Sequence, residues 1–135
     1  MTLGYSGRPL VKKLGFAPDM SVVLLDAPPN LNELLGELPS GVQVSRRLTP
    51  RADVVLIFVE NAADLSRKVP ALKSAVAPDG TVWVAWPKRA SKLPTDLTED
   101  VIRDIVLPIG LVDVKVCAID ATWSGLKLVI RKALR

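Results

Sequence analysis

Apolar residues occur along the chain in short runs of strand length, separated by segments with helical spacing. Three runs are almost continuously apolar, at residues 21–26, 53–59 and 80–86. Runs of this kind are typical of strands that are covered on both faces, as in a parallel sheet between helices. Residues 42–48 form a shorter and more polar run, which predicts a strand nearer the edge of the sheet.

Four segments between and after these runs place apolar residues at helical spacing. They are residues 10–14, 31–38, 65–76 and 96–109. Pro70 interrupts the third segment, which predicts a kink or two shorter helices. Asp96 is expected to cap the fourth helix, because Glu99 follows it three residues later, as in a capping box.

The last two apolar runs, 112–119 and 125–131, are separated only by residues 120–124. This gap is too short for a parallel crossover, so the two runs must form an antiparallel hairpin. The alternation of strands and helices before it predicts an open α/β sheet with right-handed crossovers. We therefore expect residues 1–135 to form a single Rossmann-like domain. It would be a trimmed three-layer α/β sandwich whose mostly parallel sheet ends in an antiparallel hairpin.

The amino-acid composition excludes several classes of catalytic and metal-binding site. The 135 residues include one Cys and no His, which excludes an internal disulfide, a Cys/His zinc site and every His-dependent catalytic couple. The net charge of +4 is compatible with an anionic partner, but the few scattered aromatic residues give no platform for stacking bases, so nucleic acid is not expected. No apolar run is long enough to span a membrane, and no signal peptide is apparent, so a cytoplasmic location is expected.

Three longer blocks carry a resemblance to known proteins. They are YSGRPLVKKLG at 5–15, WPKRASKLPTDLTEDVIRD at 86–104 and GLVDVKVCAIDATWSGLKLVIRK at 110–132. Together they resemble a family of small bacterial proteins of unknown function. The second half of the chain is also similar to the carboxyl half of a methyltransferase domain. That similarity implies a methyltransferase-like Rossmann fold.

The chain departs from the methyltransferase pattern where that pattern would bind S-adenosylmethionine. The first strand is followed by Pro28 and Pro29 instead of a glycine-rich turn, and proline has no N–H to offer a ligand. Arg46 and Arg47 follow the next strand, where an acidic residue would accept ribose hydroxyls. From there the chain passes directly to Asp53, so about one strand and one helix are missing. We therefore expect the cofactor site to be absent or remodelled and predict no cofactor.

Two groups of residues are the candidate ligand site, because open α/β sheets bind ligands beyond the carboxyl ends of their strands. Asp26, Glu60 and Asn61 end two core strands and suit hydroxyls or amines, although turn hydrogen bonding and helix capping are the alternative explanation and the favoured one. The loop after the third core strand contributes the second group, which could hold a phosphate or carboxylate together with the next helix N-terminus. Its members are Lys88, Ser91, Lys92, Thr95 and Asp96. A solvated charge run with an ordinary N-cap is the alternative interpretation.

Cys117 is expected to be a buried, inert thiol, and no set of carboxylates has the spacing of a metal site. Three functions remain open. The first is a non-catalytic module that binds a small anion. The second is an enzyme that acts on a phosphorylated or carboxylated molecule, with Lys88 or Lys92 as clamp and Asp26 or Glu60 as base. The third is an interaction domain that self-associates, for example as a homodimer.

Overall fold

The computed structural model describes residues 9–135, which form a six-stranded sheet with helices on both faces. The order across the sheet is β2-β1-β3-β4-β6-β5. The strands are β1 (Ser21–Leu25), β2 (Gln43–Ser45), β3 (Ala52–Phe58), β4 (Val76–Pro87), β5 (Leu111–Ala118) and β6 (Trp123–Ile130). The start of the first resembling block, residues 5–8, lies outside the described residues.

Strand directions follow the sequence prediction. β1 pairs in parallel with β2 and β3, and β3 pairs in parallel with β4. β6 runs antiparallel between β4 and β5 and forms the predicted hairpin with β5. The mostly parallel sheet that ends in an antiparallel pair is therefore confirmed, as is the position of β2 at the sheet edge.

Helices cover the sheet on both sides and complete the three layers. They are α1 (Leu10–Lys13), α2 (Leu31–Leu35), α3 (Ala62–Ala75) and α4 (Glu99–Val106). The stripe at Leu65, Val69 and Leu72 buries α3 against one face, next to α4. Each such side chain contributes about 1.5–3 kcal/mol by leaving water. On the other face, Leu14 of the α1 end and Trp83 of β4 are both buried, and the Trp83 indole N–H donates to the Leu14 carbonyl at 3.0 Å.

The link between β2 and β3 is unusually short. It consists of residues 46–51 and passes across β1, because β1 lies between the two strands that it joins. A parallel crossover normally takes a dozen or more residues and contains a helix. Here no helix forms, and Leu48 alone packs against the core on the face that α3 covers. The connection is direct, as the sequence between Arg47 and Asp53 predicted.

Two expectations about helices need correction. Of the two outcomes predicted at Pro70, the division into two shorter helices is wrong, because α3 is one helix of 14 residues. The alternative, a kink, stays a prediction. Pro70 lies in the third turn of α3, on its exposed side, where a missing N–H and a bulky ring are tolerated better than in the core. Asp96 does not cap α4. The cap is Thr98, whose hydroxyl accepts from the Val101 N–H at 3.2 Å.

Candidate functional site

The carboxyl ends of β1, β3 and β4 lie at one edge of the sheet and open into two neighbouring cavities. The order of strands reverses between β1 and β3, which is where open α/β sheets bind ligands. The cavity at this point, here called the switch crevice, has a volume of about 420 Å³. It is lined by Asp26, Pro28, Phe58, Val59, Glu60, Asn61, Asp64, Lys68 and Trp123.

The second cavity, here called the loop pocket, follows β4 and has a volume of about 820 Å³. Its walls come from the end of β4, the loop that leads to α4, the first turn of α4 and the start of β6. The lining residues are 86–89, 92–100 and Ser124. The sequence thus predicted one composite site at this edge, whereas the structure divides its residues between two cavities and leaves Ser91 out of the lining of both.

The ammonium group of Lys68 lies in the switch crevice between two carboxylates. Lys68 of α3 lies 2.9 Å from Asp26, which follows β1, and 3.0 Å from Asp64, one helical turn away. The hydrogen bonds to Asp26 and then to Asp64 raise the pKa of Lys68, although partial desolvation opposes them. Arg67 also pairs with Asp64. Two of the crevice carboxylates are therefore neutralised from within the protein.

Asp26 adopts a backbone conformation that supports this bridge. Its φ is +56°, in the left-handed region that Asp tolerates better than most residues. Such a conformation costs about 1–2 kcal/mol and persists where surrounding contacts enforce it. In this chain, Asp26 is held by its ion pair with Lys68 and is followed by the turn that leads into Pro28.

The other two polar residues that line the crevice, Asn61 and Glu60, have different roles. The Asn61 side chain accepts from the Asp64 N–H at 2.8 Å and caps α3, so the capping alternative holds for this residue. The Glu60 carboxylate is exposed and makes no ion pair with another described residue. Behind it, Trp123 meets Phe58 edge to face, with ring centroids 5.0 Å apart.

The loop pocket starts with a short 3-10 turn, Arg89–Ser91, that projects cations beside the end of β4. Ser91 is occupied within this turn, because its hydroxyl donates to the Lys88 carbonyl at 2.6 Å and accepts from the Leu93 N–H at 3.2 Å. Lys92 ends the turn with a φ of +62°. Lys88, Arg89 and Lys92 all line the pocket, and none makes an ion pair with another described residue.

The opposite wall of the loop pocket carries acids that are already engaged. Arg103 of α4 holds Glu99 and Asp100, each at 2.8 Å, and also reaches Asp113 of β5 at 2.8 Å. The hydrogen bond from Arg103 lowers the pKa of Asp113. Asp96 accepts from the Ala62 N–H at 2.8 Å, at the start of α3. Acidic charge therefore remains on this wall as well, because Asp96 accepts only a neutral N–H and one guanidinium serves three carboxylates. The pocket cations differ from Glu99 and Asp100 in making no ion pair with a described residue.

The two cavities share a wall. The Thr95 hydroxyl donates to the Glu60 carbonyl at 2.6 Å and accepts from the Leu97 N–H at 3.0 Å. On the other side, the Lys88 N–H donates to the Thr122 carbonyl at 2.7 Å, next to Trp123. Thr95 and Lys88 line the loop pocket. Their partners belong to the switch crevice, because Glu60 lines it and Thr122 precedes Trp123, which also lines it.

Both cavities thus contain residues that the sequence predicted, but Lys68 and Asp64 were not among them. The spacing of Asp64 and Lys68 was a signal, because acids four residues before lysines pair on helices. The partner across the crevice, Asp26, is 42 positions away and gives no local pattern. Cys117 is not fully buried, yet desolvation raises the pKa of its thiol, and Lys13 and Lys115 oppose that effect.

Pro28 and Arg46 follow the first two strands, at the positions where the sequence predicted a departure from the methyltransferase pattern. Pro28 lines the crevice after β1 and has no N–H to donate. After β2, Arg46 donates to the Asn32 side chain of α2 at 3.1 Å. In the described part of the chain, no group of three or more Cys, Asp or Glu side chains is placed to hold a metal ion. Within residues 9–135 no helix has the length and apolar character needed to cross a membrane.

Similarity to known proteins lies in the fold. No protein-family model matches the sequence, and no curated protein matches it. A SAM-dependent methyltransferase from Aquifex aeolicus is similar in structure, with a TM-score of 0.65, 15% identity, and 90% of this chain and 87% of that chain covered. The DhpI–SAH complex has a TM-score of 0.60 at 13% identity and covers 92% and 83% of the two chains.

A putative type 11 methyltransferase from Sulfolobus solfataricus gives the same result. Its TM-score is 0.59 at 13% identity, with 84% of this chain and 85% of that chain covered. These structures share the arrangement of strands and helices with the present chain over most of its length. The chain therefore has the Rossmann-like fold of SAM-dependent methyltransferases.

Proposed function

We propose that this chain is a Rossmann-like binding module without catalytic activity, and that it binds a small anion in the loop pocket. The anion is a phosphate or a carboxylate. We also propose that the chain has lost the S-adenosylmethionine site of the methyltransferase-like fold. Its membership of the family of small bacterial proteins that the sequence blocks resemble remains a prediction.

One observation carries this proposal. Lys88, Arg89 and Lys92 line a single cavity, and no acid among the described residues pairs with any of them. Cations that converge on a concave surface raise the local concentration of anions and bind them by charge-assisted hydrogen bonds. An anion in the pocket would complete this arrangement.

The loss of the cofactor site is supported by the switch crevice. Pro28 cannot donate a backbone hydrogen bond there, and α2 has only five residues. The Lys68 ammonium lies between Asp26 and Asp64, in the space between the ends of β1 and β3. A ligand in this position would have to displace a two-carboxylate ion pair.

Anion binding is tested by titrating isotope-labelled protein with inorganic phosphate and with acetate at constant ionic strength. We expect amide shifts confined to residues 88–98 for at least one of the two anions. Lys92→Gln should weaken the affinity about fivefold, since one exposed charge contributes about 1 kcal/mol. Lys132→Gln, which removes an exposed lysine of the C-terminal turn, is the matched control and should change nothing. Shifts spread over the whole surface, or equal losses in both variants, would contradict the proposal.

Loss of the cofactor site is tested by calorimetry with S-adenosylmethionine and S-adenosylhomocysteine. We expect no saturable binding of either compound up to about 1 mM, which corresponds to about 4 kcal/mol of binding free energy. Saturable binding in the micromolar range, or methyl transfer by the purified protein, would refute this part of the proposal.

The enzymatic alternative has a weaker geometric basis. It requires a carboxylate of the switch crevice, Asp26 or Glu60, to act on a substrate held by Lys88 or Lys92. These two pairs of residues line different cavities, and Asp26 is already bound to Lys68.

Self-association is favoured by one observation on the outer strand of the hairpin. Val114 and Val116 of β5 are 53% and 43% exposed, at an edge of the sheet. The register between β5 and β6 shifts at Val114, however, and bulges of this kind oppose edge-to-edge pairing. If these valines form a dimer contact, Val116→Lys will lower the mass measured by light scattering at high concentration. A mass of one chain in the unchanged protein would exclude a homodimer.

A further inference from the structure

We propose that the ligand of the loop pocket is a zwitterion, and that the switch crevice binds its ammonium group at Glu60 and Trp123. This inference rests on the proposed anion binding and extends it by naming the class of ligand. The carrying observation is that the two cavities share a wall, with Glu60 on one side and Lys88, Arg89 and Lys92 on the other, and that none of these four residues makes an ion pair with a described residue.

The first step is the balance of charge in the crevice. Asp26 and Asp64 are both bound to Lys68, and Asp64 also pairs with Arg67. Glu60 is the third carboxylate in the lining, and it makes no ion pair with another described residue. One negative charge therefore remains in the crevice, and it lies at Glu60.

The second step is the aromatic surface beside this carboxylate. Trp123 lines the crevice with Glu60, and Phe58 supports its ring edge to face. An indole attracts organic cations through the negative potential of its ring face, most strongly where water is excluded. A carboxylate next to an indole is thus suited to an ammonium group rather than to an anion or a neutral sugar.

The segments that line the two cavities are joined by two hydrogen bonds. The main-chain carbonyl of Glu60 accepts from the hydroxyl of Thr95, which lines the loop pocket, and the main-chain N–H of Lys88 donates to Thr122, the residue before Trp123. The two linings are therefore in direct contact at these points. We accordingly expect one small molecule, with an anion and an ammonium on a short linker, to reach the loop-pocket cations and Glu60 together.

The binding is tested with three zwitterions and their matched anions. Aminoethyl, aminopropyl and aminobutyl phosphate are titrated beside ethyl, propyl and butyl phosphate at one ionic strength. At least one aminoalkyl phosphate should bind about tenfold more tightly than its alkyl partner. If no aminoalkyl phosphate binds more tightly than its partner, the zwitterion proposal is wrong while anion binding stands. If no phosphate of either series binds, the zwitterion proposal is wrong, and if acetate does not bind either, the proposed function itself fails.

Glu60→Gln separates the role of the crevice from that of the loop pocket. Glu60 is exposed and its side chain accepts no hydrogen bond from another described residue, so the variant is expected to fold. It should abolish the preference for the amine and leave the affinity for the alkyl phosphate unchanged. Glu33→Gln, at an exposed acid of α2, is the matched control and should retain the preference. A preference that survives in Glu60→Gln would overturn the assignment of Glu60.

Discussion

The switch crevice and the loop pocket lie side by side at one edge of the sheet, yet their charged groups are arranged in opposite ways. In the crevice, Lys68 binds Asp26 and Asp64, so most of the charge is neutralised inside the protein. In the loop pocket, Lys88 and Lys92 make no ion pair with a described residue. The same end of the same sheet thus combines a crevice in which only Glu60 is left without an ion pair among the described residues with a pocket in which three cations are left without one.

Because of this difference, substitutions in the two cavities should affect different properties of the protein. Groups that bind one another in the folded protein contribute to its stability, and charges without a partner contribute little. Substitutions in the crevice and in the shared wall should therefore change the free energy of unfolding. Substitutions of the loop-pocket cations should instead change affinity for anions.

The wall between the cavities offers the largest expected change. Thr95→Val removes the hydrogen bond to the Glu60 carbonyl and the one from the Leu97 N–H. We expect a loss of about 1–2 kcal/mol in the free energy of unfolding, measured by urea denaturation. Thr122→Val is the matched control, because no described residue hydrogen-bonds its hydroxyl, and it should change stability by less than about 0.5 kcal/mol.

The cap of α4 comes next. Thr98→Ala removes the bond to the Val101 N–H and should cost about 1 kcal/mol. Hydrogen exchange should locate the loss in the first turn of α4. Asp96→Ala should instead expose the Ala62 N–H at the start of α3. Faster exchange of α4 in Asp96→Ala would show that Asp96 also supports this helix.

The Lys68 bridge should have a smaller and salt-dependent effect. Lys68→Met should cost about 0.5–1 kcal/mol at low salt and almost nothing at about 1 M salt, since the partners are partly exposed. The pKa of Lys68 is raised, so this contribution is fully present below its unfolded pKa of about 10.4 and is lost as the pH rises through the folded value. Equal losses at low and high salt would instead indicate that Lys68 acts through packing.

The loop-pocket cations should have the smallest effect on stability. Lys92→Gln should change the free energy of unfolding by less than about 0.5 kcal/mol, because no partner is lost. The same protein should show the weakened anion binding expected above. A marked change in the melting curve of Lys92→Gln without added anion would remove the contrast between the two cavities.

Much of the fold could be predicted because its signals are local. Continuous apolar runs indicated the buried strands, and the short gap between β5 and β6 required a hairpin. The extent of α3 was less predictable, because the effect of Pro70 depends on which side of the helix faces solvent. The cap of α4 was misassigned because Asp96 and Thr98 both suit an N-cap, and only the contact of Asp96 with Ala62 distinguishes them.

The candidate site was less predictable, because its contacts join distant parts of the chain. The spacing of Asp64 and Lys68 indicated an ordinary helix pair, and nothing in it indicated Asp26. Whether two groups of polar residues form one cavity or two depends on the wall between them. That wall includes the Thr95 contact with Glu60, which spans 35 positions, and the Lys88 contact with Thr122.

The short link at residues 46–51 has a consequence for protein engineering. Arg46, Arg47, Pro50 and Arg51 are all exposed, and exposed connections are where inserted segments are best tolerated. An additional strand and helix grafted at this link could extend the sheet beside the short edge strand β2. Strands β3, β4, β6 and β5 would keep their present neighbours. The link is thus a place where one strand and one helix could be added without changing the carboxyl ends of β1, β3 and β4, where both cavities lie.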